Sequence, residues 1–167
     1  NAVSGLVAEV LSRLKTGQKA EMPKCLLMKM SANGTTCVEV EEDDIEETQE
    51  AESEAGKQVL IIPVMKFISK QDIEDYGILG TVTIQKLIAS ANANTNIAGV
   101  VLHINNPGGT VLNTPETSTF IFENQKPVVA FCEDLTASSG FYLAMACKYI
   151  FLAGRTTMIG NIGTKSQ

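Results

Sequence analysis

The sequence predicts an α/β fold built on parallel strands. Three observations carry this reading. Runs of apolar, β-favouring residues recur at 59–65, 97–104 and 127–132. Segments of helical character stand between them, over residues 83–93 and 116–124. Turn residues, above all Pro107-Gly108-Gly109, mark the changes. Alternation of strand and helix favours a parallel sheet with its crossovers packed on it.

The elements follow in chain order. Val3, Leu6, Val7, Val10, Leu11 and Leu14 recur at helical spacing, so residues 2–16 read as an amphipathic helix. Its apolar face calls for packing on the main domain or on another subunit. With only Arg13 and Lys15 as cations and few aromatics, it is a poor match to a membrane-surface helix. The piece from Met22 to Met30 fits a short strand or a connector equally well.

Ten of the nineteen acidic residues then fall between Glu39 and Glu54, a stretch with no Lys or Arg. Outside it, thirteen basic residues face nine acidic ones, so the net charge of −6 belongs to this one segment and not to an acidic active site. Such a run reads as a solvated linker, and it lacks the glycine and the alternating oxygen ligands of a calcium loop. The expected organisation is therefore an N-terminal helix and connector over 1–38, an acidic flexible linker over 39–57, and the main domain over 58–167.

Within that domain, residues 59–65 form a buried strand and 73–79 a surface turn. Residues 83–93 are a helix with Ile84, Leu87 and Ile88 inward, and 97–104 the next strand. Helix over 116–124, strand over 127–132, helix over 138–147 and strand over 149–152 complete the pattern.

Two motifs lie just beyond the ends of successive strands, where α/β folds carry their chemistry: Asn105-Asn106-Pro107-Gly108-Gly109 and Thr136-Ala137-Ser138-Ser139-Gly140-Phe141-Tyr142. A Pro-Gly-Gly turn leaves backbone N–H groups with no side chain in front of them, so a carbonyl oxygen can approach. Ser138 stands at the start of a helix, where free N–H groups favour developing negative charge. The N–H groups of Gly109 and Ser139 are then the candidate oxyanion donors, with Gly108 shaping the turn. Singly, the first motif is an ordinary turn and the second an ordinary N-cap. Their order and spacing on consecutive strands set them apart. The segment Gly109-Thr110-Val111-Leu112 has extended, β-favouring composition, and Thr110 and Val111 are candidate substrate-binding residues at its edge.

Over roughly residues 58–164 the chain resembles the signal peptide peptidase A family of Ser-Lys serine peptidases. The resemblance rests on Ile104-Asn105-Asn106-Pro107-Gly108-Gly109, Lys126-Pro127-Val128-Val129-Ala130, Ala137-Ser138-Ser139-Gly140-Phe141-Tyr142 and Ile159-Gly160-Asn161-Ile162-Gly163. It implies a ClpP/crotonase-like spiral of parallel βα units, a serine endopeptidase with Ser138 as nucleophile, a peptide or protein substrate, and a homo-oligomer. Within the family, the N-terminal helix and acidic linker look most like the phage head-maturation protease branch. Asn106, Ser139 and Asn161 depart from the family pattern, which has serine, glycine and serine there.

The resemblance also implies a lysine base, roughly fifty residues past the serine or in a separate repeat of a longer chain, and in either case outside the residues given. The domain is accordingly expected to be truncated at its C-terminal end and inactive by itself. The single histidine, His103, lies inside an apolar run and reads as a strand residue. Lys165 is the one lysine near the last motif, and a solvated lysine stays protonated. Two alternatives share the fold: a crotonase-type acyl-CoA enzyme, which needs no serine nucleophile, and a catalytically inactive assembly scaffold.

No glycine-rich phosphate loop, metal-ligand cluster or basic aromatic stripe competes, so no cofactor, metal or nucleic acid is expected. Cys25, Cys37, Cys132 and Cys147 form no Cys-x-x-Cys pair and read as reduced thiols. No run reaches the length of a membrane span, and the expected location is cytoplasmic.

Overall fold

A computed structural model describes residues 20–31, 34–41, 44–45 and 57–163. The amphipathic segment 2–16, most of the acidic run and Lys165 lie outside these residues. Among the described residues seven strands form one sheet: β1 (Cys25–Ser31), β2 (Gly34–Val40), β3 (Gln58–Met65), β4 (Ile97–Asn106), β5 (Val128–Ala137), β6 (Ile150–Leu152) and β7 (Met158–Gly160). Its order is β2-β1-β3-β4-β5-β6, with β7 pairing β5 beyond β6. From β3 onward all pairings are parallel, while β1 is antiparallel to both β2 and β3. The α/β class with parallel βα units is the one the sequence predicts.

The piece that fitted strand or connector equally is β1, and it joins the main sheet through β3. Glu39 and Val40, counted with the acidic linker, close β2, where Glu39 pairs with Lys24 at 2.8 Å. Ile45, also in that run, is fully buried in the core. One apolar residue among carboxylates gives little sequence signal, yet burying an isoleucine is worth about 1.5–3 kcal/mol.

Helix α1 (Thr81–Ala93) packs Ile84, Leu87, Ile88 and Ala91 into the core, as the spacing demands. Asp72 holds its start, accepting from Gly80 N–H at 2.6 Å and from Thr83 Oγ1 at 2.9 Å. Lys126 holds its end by donating to the Ala91 and Asn94 carbonyls. Helix α2 (Thr114–Phe122) begins with Pro115 and Glu116, residues suited to a first turn. Helix α3 (Ser139–Met145) buries Leu143 and Ala144 against the sheet.

Alternation along β4 sets the two faces of the sheet. Val100, Leu102, Ile104 and Asn106 are buried on the helix side, while Val101, His103 and Asn105 are half-buried on the other. Strand β5 runs five residues beyond the apolar stretch 127–132, because Thr136 pairs with Asn106 after an irregularity that follows the Ile104–Cys132 pair. Glu133 and Asp134 interrupt the apolar pattern there and hide the continuation from sequence reading. The extra length carries the chain to Ala137 and delivers Ser138 beside the end of β4.

Candidate active site

Asn106 is the last residue of β4, and the chain turns immediately after it. Gly108 adopts φ +113°, a conformation open to glycine and strained for other residues. Gly109 forms a parallel bridge with Ile68, where a Cβ would fall 2.1 Å from the Ile68 carbonyl oxygen. Gly108 is buried and Gly109 exposed. The glycine pair is therefore required by close backbone approach on one side and by backbone conformation on the other.

The backbone partners of this turn are nearly all assigned. Pro107 has no N–H. Gly108 N–H donates to Asn106 Oδ1 at 2.6 Å, Ile68 N–H donates to the Gly108 carbonyl at 3.0 Å, and Thr110 N–H donates to the Ile68 carbonyl at 2.9 Å. Gly109 N–H has no partner among the described residues.

Ser138 is the hinge between β5 and α3. Its backbone has φ 50° and ψ −125°, in the strained region that non-glycine residues avoid. A serine on such a sharp strand-to-helix turn presents its hydroxyl at the tip of the turn. The turn is held from both sides: Ser138 N–H donates to the Asn161 carbonyl at 2.9 Å, and the Ser138 carbonyl accepts Tyr142 N–H at 2.9 Å. Ser139, the first residue of α3, has no backbone N–H partner among the described residues, as expected at a helix start. Its side-chain Oγ is buried and also unpartnered.

The two halves meet at Gly108. A Cβ on that residue would lie 2.5 Å from Ser138 Cβ and 3.0 Å from Ser138 Oγ. Gly140 in turn sits against Asn106, with a Cβ position 3.1 Å from Asn106 Oδ1. Ser138, Gly108, Gly109 and Ser139 thus occupy one locality. Beside Ser138 opens a cleft of about 160 Å³ lined by Val111, Thr114, Pro115, Ser139, Tyr142 and Ile162, among others. Tyr142, Thr114 and Pro115 stand out only once α2 and α3 are packed together. Ile162 belongs to the Gly160-to-Gly163 motif that the sequence does single out.

Thr110 and Val111 do not form a long extended edge. Thr110 N–H is taken by Ile68, its hydroxyl accepts Leu112 N–H at 3.0 Å, and its carbonyl accepts Thr114 Oγ1 at 2.8 Å. Local hydroxyl bonds of this kind compete with extended structure, so the chain turns into α2 within a few residues. Val111 contributes its side chain to the cleft.

His103 lies on the sheet face opposite Asn106, with Nε2 3.1 Å from Glu133 Oε2 and its ring tilted against Phe131 at 5.4 Å. No described basic side chain is hydrogen-bonded to Ser138 Oγ. Among the described residues no group of His, Cys, Asp and Glu could hold a metal ion, and no helix is long and apolar enough to cross a membrane. Burial pushes the Cys147 thiol up to about 12, with the neighbouring Cys132 adding to the effect, and it raises Cys132 as well.

Comparison with known proteins bears on this site. The model of peptidase family S49 matches residues 121–167, a segment that includes Ser138 and Ser139. The head-tail preconnector protein GP5 of Enterobacteria phage P21 is 35% identical over 89 residues, which are 52% of this chain and 18% of that protein. A candidate protease of Methanocaldococcus jannaschii is 30% identical over 81 residues, 47% of this chain and 26% of that protein. The chain therefore spans about a fifth to a quarter of the length of these relatives. Among solved structures, a membrane-bound stomatin-specific protease aligns with a TM-score of 0.48 at 17% identity, covering 59% of this chain and 44% of that one. The segment that carries the Ser138 turn is thus the one similar to peptidase family S49.

Proposed function

We propose that the protein is a serine endopeptidase with Ser138 as its nucleophile. The observation that carries this reading is the strained Ser138 turn packed on Gly108, in one locality with the Gly109 and Ser139 amides, which have no partner among the described residues. Ser138 Oγ attacks the peptide carbonyl carbon, and the carbonyl oxygen, now negative, is held by those two N–H groups. Collapse of the tetrahedral species breaks the C–N bond and leaves an acyl-serine. Water then hydrolyses it, and Ser138 regains its proton.

The base is a lysine supplied from outside the described residues, since His103 is engaged with Glu133 on the other face of the sheet. That lysine takes the serine proton and passes it to the leaving amine, as a Ser-Lys dyad requires. The apolar cleft between Val111 and Ile162 suits a small aliphatic side chain of the substrate. A protein substrate and an oligomeric state belong to the same proposal.

A fluorophosphonate probe tests the reading. Covalent labelling that maps to Ser138 and disappears in Ser138→Ala is the expected result. Absence of labelling in a chain that carries the lysine would favour an acyl-CoA enzyme or an inactive scaffold on the same fold.

A further inference from the structure

We infer that Asn106 is a positioning residue that decides which amide of the Gly108–Gly109 turn faces the substrate. The inference rests on the proposed role of Ser138. It adds a residue that touches no reacting atom and acts through the backbone.

The two peptide planes of the turn are held by different partners. In a trans peptide the N–H points away from the C=O of the same plane. The Gly108 carbonyl is held by Ile68 N–H at 3.0 Å, so the Gly109 N–H in that plane points away from Ile68 and outward. The preceding plane is held only through Gly108 N–H, and its acceptor is Asn106 Oδ1 at 2.6 Å. This is an Asx-type turn, in which an asparagine side chain binds the backbone two residues on. Two consecutive glycines allow either plane to rotate at little steric cost. Without the Asn106 acceptor, a buried Gly108 N–H would be left to seek another partner, and only the Ile68 bond would hold the Gly109 plane against rotation.

Asn106 also reaches the second half of the site. Its side chain is fully buried, and Oδ1, the backbone carbonyl oxygen and Cβ all lie 3.1–3.3 Å from the Cβ position of Gly140 in the first turn of α3. One carboxamide therefore fixes the height of the Gly109 turn against the helix that begins with Ser139. Its Nδ2 is buried without a partner. Rotating the amide would place that donor against Gly108 N–H, so the observed orientation is the one the turn permits. A buried donor left unmet does not favour stability, and a smaller acceptor side chain would avoid it. Asparagine here is explained by the reach of its oxygen to Gly108.

Two measurements test the inference. In the chain itself, amide hydrogen exchange should show Gly108 protected and Gly109 exchanging freely, and Asn106→Ala should abolish the Gly108 protection while core amides keep theirs. Gly108 exchanging as fast as Gly109 in the unaltered protein would overturn it. In the polypeptide that carries the lysine, Asn106→Ala and Asn106→Ser differ by one oxygen and share any packing loss. Asn106→Ala should lower kcat about a hundredfold, the scale of losing an oxyanion donor, with KM within threefold. Asn106→Ser, whose hydroxyl can accept from Gly108 N–H more weakly, should recover at least tenfold of that loss. Equal kcat in the two variants overturns the positioning role even where Ser138 is the nucleophile. Unaltered protein that shows no turnover dependent on Ser138 overturns the proposed function instead, and with it the catalytic part of this inference. The exchange result stands or falls separately.

Discussion

Gly108 lies against Ser138 so closely that a single added carbon would reach 2.5 Å from the serine Cβ and 3.0 Å from its Oγ. The contact joins the turn after β4 to the turn after β5, two points thirty residues apart in sequence. Gly108→Ala should therefore act on the site twice. It forces a side chain into φ +113° and displaces the Ser138 hydroxyl. The backbone strain alone is on the order of 1–3 kcal/mol. Peptide hydrolysis should fall by at least about a hundredfold, on the scale of a misplaced reacting group. Gly154→Ala is the control, since a Cβ there meets nothing within 4 Å, and its thermal midpoint and activity should match the unaltered protein. Full activity in Gly108→Ala would remove the close approach from the mechanism.

Adjacent serines make the identity of the nucleophile a sharp question. Ser138 carries the strained φ/ψ pair and lines the cleft, whereas the Ser139 hydroxyl is buried and only its backbone N–H is assigned a role. Ser138→Ala should abolish hydrolysis and probe labelling. Ser139→Ala should keep most of both, because the substitution leaves the amide in place and removes an unpartnered buried hydroxyl. An inactive Ser139→Ala beside an active Ser138→Ala would shift the nucleophile by one residue.

The thiols give a prediction independent of catalysis. Cys37 is exposed, Cys25 and Cys132 are buried, and burial holds Cys147 protonated up to about 12. A thiol-reactive dye at neutral pH should modify Cys37 rapidly in the native protein and all four cysteines only after denaturation. The pH dependence has a defined sign. Because the folded value of Cys147 lies above the ordinary 9.0, the unfolded chain loses this proton first as pH rises. The contribution of the protonated thiol is complete below pH 9.0 and is lost between there and about 12. Denaturation midpoints should fall across that window, and by less in Cys147→Ala. Equal slopes for both proteins would show that Cys147 does not govern the alkaline loss.

The parts of the fold that were legible in the sequence are those where one local pattern decides the outcome. The runs containing Leu60, Ile62, Leu102 and Ile104 are apolar because they are buried between layers, and Ile84, Leu87 and Ile88 show the helical period because one face meets the sheet. The two glycine and serine motifs were legible for a similar reason, since small residues at a turn report close approach. What escaped depends on partners distant in the chain. Nothing near Ile68 announces its bridge to Gly109, nothing in Glu133-Asp134 announces that β5 continues, and the hydroxyls of Thr110 and Thr114 fold a segment whose composition favours extension. Asn106 stood out as a departure from the family pattern, but its hydrogen bond to Gly108 follows from the turn geometry and not from residue type.

Ser138 Oγ has no described basic partner, His103 is paired with Glu133 across the sheet, and a serine hydroxyl that keeps its proton is a weak nucleophile. On the proposed reading, the described residues supply the nucleophile and the oxyanion donors, and the base comes from elsewhere. An oxyanion site alone sustains about a thousandfold acceleration over water, too little to register in a casein-type assay. On the proposed Ser-Lys reading the 167-residue chain should be silent, and a polypeptide that carries the lysine should turn over and label. The lysine concerned must be desolvated or flanked by positive charge to be neutral at working pH, so kcat/KM should rise with pH to a plateau as it loses its proton. Strong turnover by the short chain, lost on Lys165→Ala, would instead make Lys165 the base. Turnover of the short chain that survives Lys165→Ala and disappears in His103→Gln would point to the histidine and reject a Ser-Lys dyad.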